Sequence, residues 1–213
     1  MGFSGARGSS PVWALILAGG ASRRMGAANK LLAPLAGEAL VRHAVREALA
    51  SACDEVLVVL GHDADAVRQA LADLPVRFVV GTDYAEGMGA SLRAGAAVVP
   101  DDASVIVCLG DMPAVRAWVL DALIAAYRTN GQALACQPVH AGRPGNPVLW
   151  DASCLPALRA LRGDAGARAI LRELGEGLCL VPVDCPGVLD DIDTPEDLLR
   201  HTGQGPDVVE FKL

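Results

Sequence analysis

Aromatic side chains are scarce: Phe, Trp and Tyr make up 4% of the 213 residues, although hydrophobic residues reach 52%. Ala, Val and Leu must therefore build the core, and a chain of this length can bury one full α/β core. An excess of positive charge is also missing. Lys and Arg number 18 against 25 Asp and Glu, a net charge of −7. That argues against a nucleic-acid or anionic-membrane surface, while leaving room for a cationic cluster inside one cleft. No apolar run approaches the ~20 residues of a membrane-spanning helix. The six cysteines (Cys53, Cys108, Cys136, Cys154, Cys179, Cys185) include no C-x-x-C pair. They are expected to be reduced thiols of a cytoplasmic protein, without a zinc site. The four histidines (His43, His62, His140, His201) show no metal-ligand spacing. Three sequence signatures are absent as well: G-x-x-x-x-G-K-[ST], G-x-G-x-x-G and G-x-S-x-G. Walker A, dinucleotide-fingerprint and nucleophile-elbow chemistry thus lack support.

Met1–Ser10 has no apolar stretch of the kind a signal peptide carries. Residues 1–11 and 203–213 are expected to be flexible tails around a single domain spanning 12–202. Within it, Val12–Ala18, Glu55–Leu60, Val76–Val80 and Ser104–Leu109 read as strands covered on both faces. Helical faces lie between them, at Leu40, Val41, Ala44, Val45, Ala48 and Leu49, at Ala64, Val67 and Leu71, at Ala90–Val98, and at Val119–Tyr127. This alternation predicts right-handed crossovers, a mainly parallel sheet and an α/β fold. Further on, Ala133–Val139 and Pro147–Trp150 flank a Gly/Pro-rich segment and suggest a hairpin-like excursion. Leu155–Leu161 and Ala165–Leu174 read as helices, Leu178–Val183 as a strand. Thr194, Pro195 and Asp197 have the spacing of an N-cap, a first-turn proline and a capping box.

Three segments could carry chemistry. The first strand breaks into Leu17-Ala18-Gly19-Gly20-Ala21-Ser22-Arg23-Arg24-Met25-Gly26, with Lys30 beyond. Gly19 and Gly20 let backbone N–H groups approach a ligand, and the cations suit a triphosphate; a solvated basic loop is the plainer alternative. Asp111, after Gly110 at the end of a buried strand, suits Mg²⁺ or a helix N-cap. Asp190-Asp191-Ile192-Asp193 crowds acids that repel unless a cation or donors neutralise them, or else forms an exposed acidic turn. A parallel sheet binds ligands beyond the carboxyl ends of its strands, where the glycine loop and Asp111 both fall.

With these pieces in order, the chain resembles the MobA/MocA-like nucleotidyltransferases, especially the cytidylyl branch that makes molybdopterin cytosine dinucleotide. The matching segments are LAGGASRRMGAANKLL (17–32), VVLGHDADAV (58–67), DYAEGMGASLRAG (83–95), CLGDMP (108–113), GRPGNPVLW (142–150), GDAGAR (163–168) and LDDIDTPEDL (189–198). The resemblance implies a three-layer Rossmann-like nucleotidyltransferase fold and Mg²⁺-dependent transfer of a nucleotidyl group to the phosphate of molybdopterin. It implies that Leu17, Ala18, Gly19 and Gly20 line base and ribose, with Ser22 among the nucleotide contacts. Arg24 and Lys30 would grip the triphosphate, and Gly61 and the Gly87–Ser91 loop would border nucleotide or pterin. Asp111 and Asp193 would hold the metal, and Asp83 would lie near the same cleft. CTP is the expected nucleotide. GTP stays open because Gly19 stands where cytidylyl members often carry alanine, leaving more room for a purine. Asn146 stands where a histidine is common. Partners implied are the nucleoside triphosphate, molybdopterin, and a molybdoenzyme or its maturation chaperone. A sugar-phosphate nucleotidyltransferase and a non-catalytic pterin-cofactor carrier are the competing readings.

Overall fold

Strand β1 (Val12–Ala18) is buried from end to end, which is why its sequence shows no alternation. In the computed structural model, which describes residues 10–20, 29–163 and 167–202, the chain continues through a two-stranded hairpin, β2 (Pro34–Leu35) and β3 (Glu38–Ala39). Then come α1 (Leu40–Leu49), β4 (Glu55–Leu60), α2 (Ala64–Ala70), β5 (Arg77–Val80), α3 (Met88–Ala96), β6 (Ser104–Leu109) and α4 (Ala117–Thr129). The second part carries β7 (Ala135–His140), β8 (Arg143–Pro144), β9 (Val148–Trp150), α5 (Leu155–Arg159), α6 (Arg168–Glu173), β10 (Leu178–Pro182) and α7 (Pro195–Thr202).

The main sheet runs β10-β7-β9-β6-β1-β4-β5, with β8 paired to β7. β1 is parallel to both β4 and β6, and β4 is parallel to β5. The excursion at 133–150 differs from a plain hairpin. β7 and β8 make a small antiparallel ladder, and β9 then inserts between β6 and β7, antiparallel to each. β10 returns parallel to β7. The sheet therefore consists of two parallel blocks joined through one reversed strand.

The two faces of β1 sort the core. Val12, Ala14, Ile16 and Ala18 pack with Val41 and Val45 of α1, Val67 of α2 and Leu120 and Leu123 of α4. Trp13, Leu15 and Leu17 pack on the other side with Leu92 of α3 and Leu155 and Leu158 of α5. Helices cover both faces, giving three layers. From β1 the chain winds outward through β4 and β5, then returns to place β6 on the opposite flank of β1. The crevice beyond Leu17 and Leu109 is thus the topological switch point at which such sheets take ligands. A satellite cluster of Ala33, Leu35, Leu40, Ile192 and Leu198 pins α7 and the segment before it to the β2–β3 hairpin. Among the described residues, no helix is long and apolar enough to cross a membrane.

Candidate active site

Asp111 follows directly on the junction where the Gly110 N–H donates to the Leu17 carbonyl (3.0 Å), closing β6 onto β1. Its own carbonyl accepts from the Ile192 N–H at 3.0 Å, drawing in the acidic segment from far along the chain. Ile192 is fully buried among Ala33, Leu35, Leu40 and Leu198. With that side chain in the cluster, Asp191 and Asp193 on either side of it reach toward Asp111 instead. Carboxylate oxygens of Asp111, Asp191 and Asp193 lie within 4.8 Å of one another.

The segment is fixed from behind by the cap of α7. The Asp193 and Thr194 N–H groups donate to the Asp197 carboxylate at 3.1 and 2.8 Å, and the Asp197 N–H donates to Thr194 Oγ1 at 3.2 Å. Burial acts to raise the Asp197 pKa, but Thr194, the two backbone donors and Arg200 outweigh it and hold the carboxyl at about 2. A depressed carboxyl contributes stability above its unfolded pKa of about 4, and that contribution is lost as pH falls through the folded value. Thr194→Ala should cost about 1 kcal/mol in urea unfolding at neutral pH. The stability contributed by the Asp197 carboxylate should fade in the wild type as pH drops from about 4 toward about 2. A wild-type cost near zero for the substitution would show that the cap does not hold the segment.

Lys30 opens a single 3-10 turn, Lys30–Leu32, capped by buried Asn29. Asn29 Oδ1 accepts from the Leu31 N–H (3.1 Å), and its amide donates to the His62 carbonyl (3.3 Å), tying the turn to the loop after β4. Lys30 Nζ stands 2.7 Å from Asp111 Oδ2 and 2.7 Å from Asp193 Oδ1. Burial would lower its pKa, yet the two carboxylates prevail and raise it, so the ammonium keeps its charge. Asp191 shows the strain of the cluster: burial first, then the charges of Asp111 and Asp193, push its pKa up. Among the described residues, the three carboxylates outnumber the Lys30 ammonium that faces them, and Asp111 Oδ1 is buried without a hydrogen-bond partner. Hard oxygen donors, an orphaned carboxylate oxygen and surplus negative charge fit a divalent cation such as Mg²⁺.

A cavity of about 450 Å³ opens beside the cluster, lined by Leu17, Gly19, Gly20, Lys30 and Asp111 on one side and by Tyr84, Gly87, Met88 and Ser91 on the other. The close backbone approach behind Gly19 depends on glycine at position 61. A Cβ there would lie 2.6 Å from the Gly19 carbonyl oxygen and 2.7 Å from Gly19 Cα. A Cβ at Gly19 would come within 2.8 Å of Ser91 Oγ, so the room left by an absent methyl is taken by that hydroxyl. A second cavity of about 500 Å³ shares Leu17, Met88 and Leu109 with the first. Its other walls are largely apolar, Trp150 and Leu171 among them, and its polar side chains among the described residues are Asn146 and Arg168. Gly145 sets Asn146 there, because a Cβ would meet the Val188 carbonyl oxygen at 2.2 Å.

Leu17, Gly19, Gly20, Lys30, Ser91, Asp111 and Asp193 therefore meet at one crevice. Ala18 turns its side chain into the core instead, as alternation along β1 requires, and Gly61 packs behind Gly19 rather than lining the cavity. Ser22 and Arg24 lie outside the described residues. Asp83 is held by Arg93 at 2.9 Å, and Arg93 also donates to the Leu161 carbonyl at 2.8 Å, so Asp83 belongs to a clasp on the cavity rim. Sequence reasoning passed over Asp191 as a ligand, although its two-residue spacing from Asp193 was the available signal. Asn29 gave no signal beyond its place before Lys30.

Comparison with known proteins bears on this geometry. The family described as MobA-like NTP transferase domain matches residues 14–178. Nicotine blue oxidoreductase of Paenarthrobacter nicotinovorans is 33% identical over 194 residues, covering 89% of this chain and 95% of that protein. Purine catabolism protein PucB of Bacillus subtilis (strain 168) is 32% identical over 204 residues, covering 88% and 95%. Among solved structures, Rv0371c of Mycobacterium tuberculosis H37Rv superposes with a TM-score of 0.81 at 27% identity, over 92% of this chain and 98% of that one. The same protein in complex with manganese gives 0.77 at 25% identity, over 92% and 99%. A switch-point crevice bearing carboxylates and a lysine, together with a family match spanning most of the sheet, leads to one assignment: the chain belongs to the MobA-like NTP transferase domain family and is a nucleotidyltransferase that uses a nucleoside triphosphate.

Proposed function

We propose that the chain transfers a cytidylyl group from CTP to the terminal phosphate of molybdopterin, giving the dinucleotide cofactor and pyrophosphate. The observation that carries this reading is the convergence of Asp111, Asp193 and Lys30 at the mouth of the first cavity. The nucleotide occupies that cavity, its base and ribose against Leu17, Gly19 and Gly20. Ser91 fills the space beside Gly19, which supports a pyrimidine over a purine. The acceptor occupies the second cavity. Its apolar walls suit a flat ring system better than a hydroxyl-rich sugar, and Arg168 offers an anion a partner.

Transfer of this kind needs positioning and charge stabilisation more than covalent help. An acceptor phosphate oxygen attacks the α-phosphorus in line; the new O–P bond forms as the bond to the β-phosphate oxygen breaks, and pyrophosphate leaves. A phosphate nucleophile is already ionised near neutral pH, so no side chain need remove a proton. Lys30, with Arg24, neutralises the charge that gathers on the departing group. Asp111, Asp191 and Asp193 would hold Mg²⁺, which when bound offsets negative charge on the phosphates. Thermal-shift measurements with Mg²⁺ should show CTP stabilising the protein more than GTP, and pyrophosphate should appear with CTP and molybdopterin together. Stabilisation by GTP alone would move the reading to guanylyl transfer. Release with a sugar phosphate but not with molybdopterin would replace the acceptor.

A further inference from the structure

From its position we infer that Lys30 is the resident counter-ion of the acidic cluster, and that it has to leave Asp111 and Asp193 before a divalent ion enters, so that metal and nucleotide bind interdependently. The inference rests on reading the first cavity as the triphosphate site. Lys30 Nζ touches Asp111 Oδ2 and Asp193 Oδ1 at 2.7 Å each. A Mg²⁺ ion that takes the same two oxygens, with ligand distances of about 2.1 Å, would need the space the ammonium now holds. Both cations cannot occupy it. Two of the three clustered acids thus engage the Lys30 ammonium, while Asp111 Oδ1 stays buried beside it with no hydrogen-bond partner among the described residues.

Lys30 can serve elsewhere. Its side chain forms part of the wall of the cavity, next to Gly19 and Gly20. The stem is flexible and the ammonium a compact donor of three hydrogen bonds, suited to follow a phosphate. A triphosphate entering the cavity would draw the ammonium off the carboxylates and expose them to the incoming metal. Without nucleotide, metal must displace the lysine unaided. Linkage makes the effect reciprocal: whatever factor nucleotide adds to metal affinity, metal adds to nucleotide affinity.

Mn²⁺ binding followed by electron paramagnetic resonance, on wild type, Lys30→Met and Lys30→Gln, tests this. Without nucleotide, both variants should bind Mn²⁺ about tenfold or more tighter than wild type. Their melting temperatures should fall without metal, because Asp111 and Asp193 have lost the Lys30 ammonium, and Mn²⁺ alone should restore them. Repeating the titration with the triphosphate that stabilises wild type separates displacement from simple repulsion. A lysine that stays put would weaken Mn²⁺ equally with and without nucleotide. A lysine that moves weakens it only without, so the metal–nucleotide coupling should shrink about tenfold in the variants. Chelation by free nucleotide is common to all three proteins and cancels in that ratio. Equal Mn²⁺ affinity in the absence of nucleotide, or unchanged coupling, would overturn the inference. Should neither CTP nor GTP bind, the proposed function fails, and the nucleotide-free affinity and melting results decide the lysine's role by themselves.

Discussion

Asp111→Ala should lower pyrophosphate release by about a thousandfold, the upper range for removing one charge-stabilising group from a transfer site. The fold should survive, because what Asp111 gives to the architecture is its backbone carbonyl, which holds the Ile192 N–H and is kept in the variant. Lys30 keeps Asp193 as its partner at 2.7 Å, so no buried cation is stranded. Removing a carboxylate whose Oδ1 has no hydrogen-bond partner among the described residues also relieves repulsion on Asp191. The metal-free melting temperature should therefore match or exceed that of wild type, while Mn²⁺ affinity drops. Turnover within tenfold of wild type would remove Asp111 from the chemistry. Asp111→Asn keeps the shape and tests whether the charge is the part that matters.

Ile192→Ala should be the more damaging to stability, by about 2–4 kcal/mol in denaturant unfolding. The side chain has no solvent exposure and is gripped by Ala33, Leu35, Leu40 and Leu198. Its loss leaves a void between the hairpin and α7 that neither can close without moving. The effect should extend to metal binding, since this one apolar contact aims the acids on either side. Ile192→Val, at about 0.5–1.5 kcal/mol, should keep most of the Mn²⁺ affinity. An alanine variant that unfolds more easily yet binds Mn²⁺ as wild type would mean that Asp191 and Asp193 are oriented by something other than Ile192.

Local pattern carried much of the architecture. Val12–Ala18, Glu55–Leu60 and Ser104–Leu109 are strands with the bounds their unbroken apolar runs predict. Thr194 and Asp197 make the reciprocal bonds of the predicted capping box. Where spatial neighbours decide, the sequence was less informative. Nothing in Val148–Trp150 announces a reversed strand between β6 and β7, because three apolar residues fit either direction and the choice lies with the edges they meet. Gly19 suggested added room, but the volume was settled by Ser91, on a helix distant in the chain. Ala18 belongs to the same motif as Leu17 and Gly19, yet strand alternation sends it into the opposite layer. Asp191 was visible as one of a run of acids; that it joins Asp111 follows only from where Ile192 is anchored.

The link from the Ile192 amide to the Asp111 carbonyl joins residues 81 positions apart, and this has a consequence for biogenesis. During synthesis, β1, β4, β5 and β6 can assemble while the last acids are still to be translated, so the walls of the cleft exist before its electrostatic floor. A nascent or nicked polypeptide ending short of residue 190 would keep the walls and lack two of the three carboxylates. Competence would arrive late and all at once, when the carboxyl-terminal stretch docks.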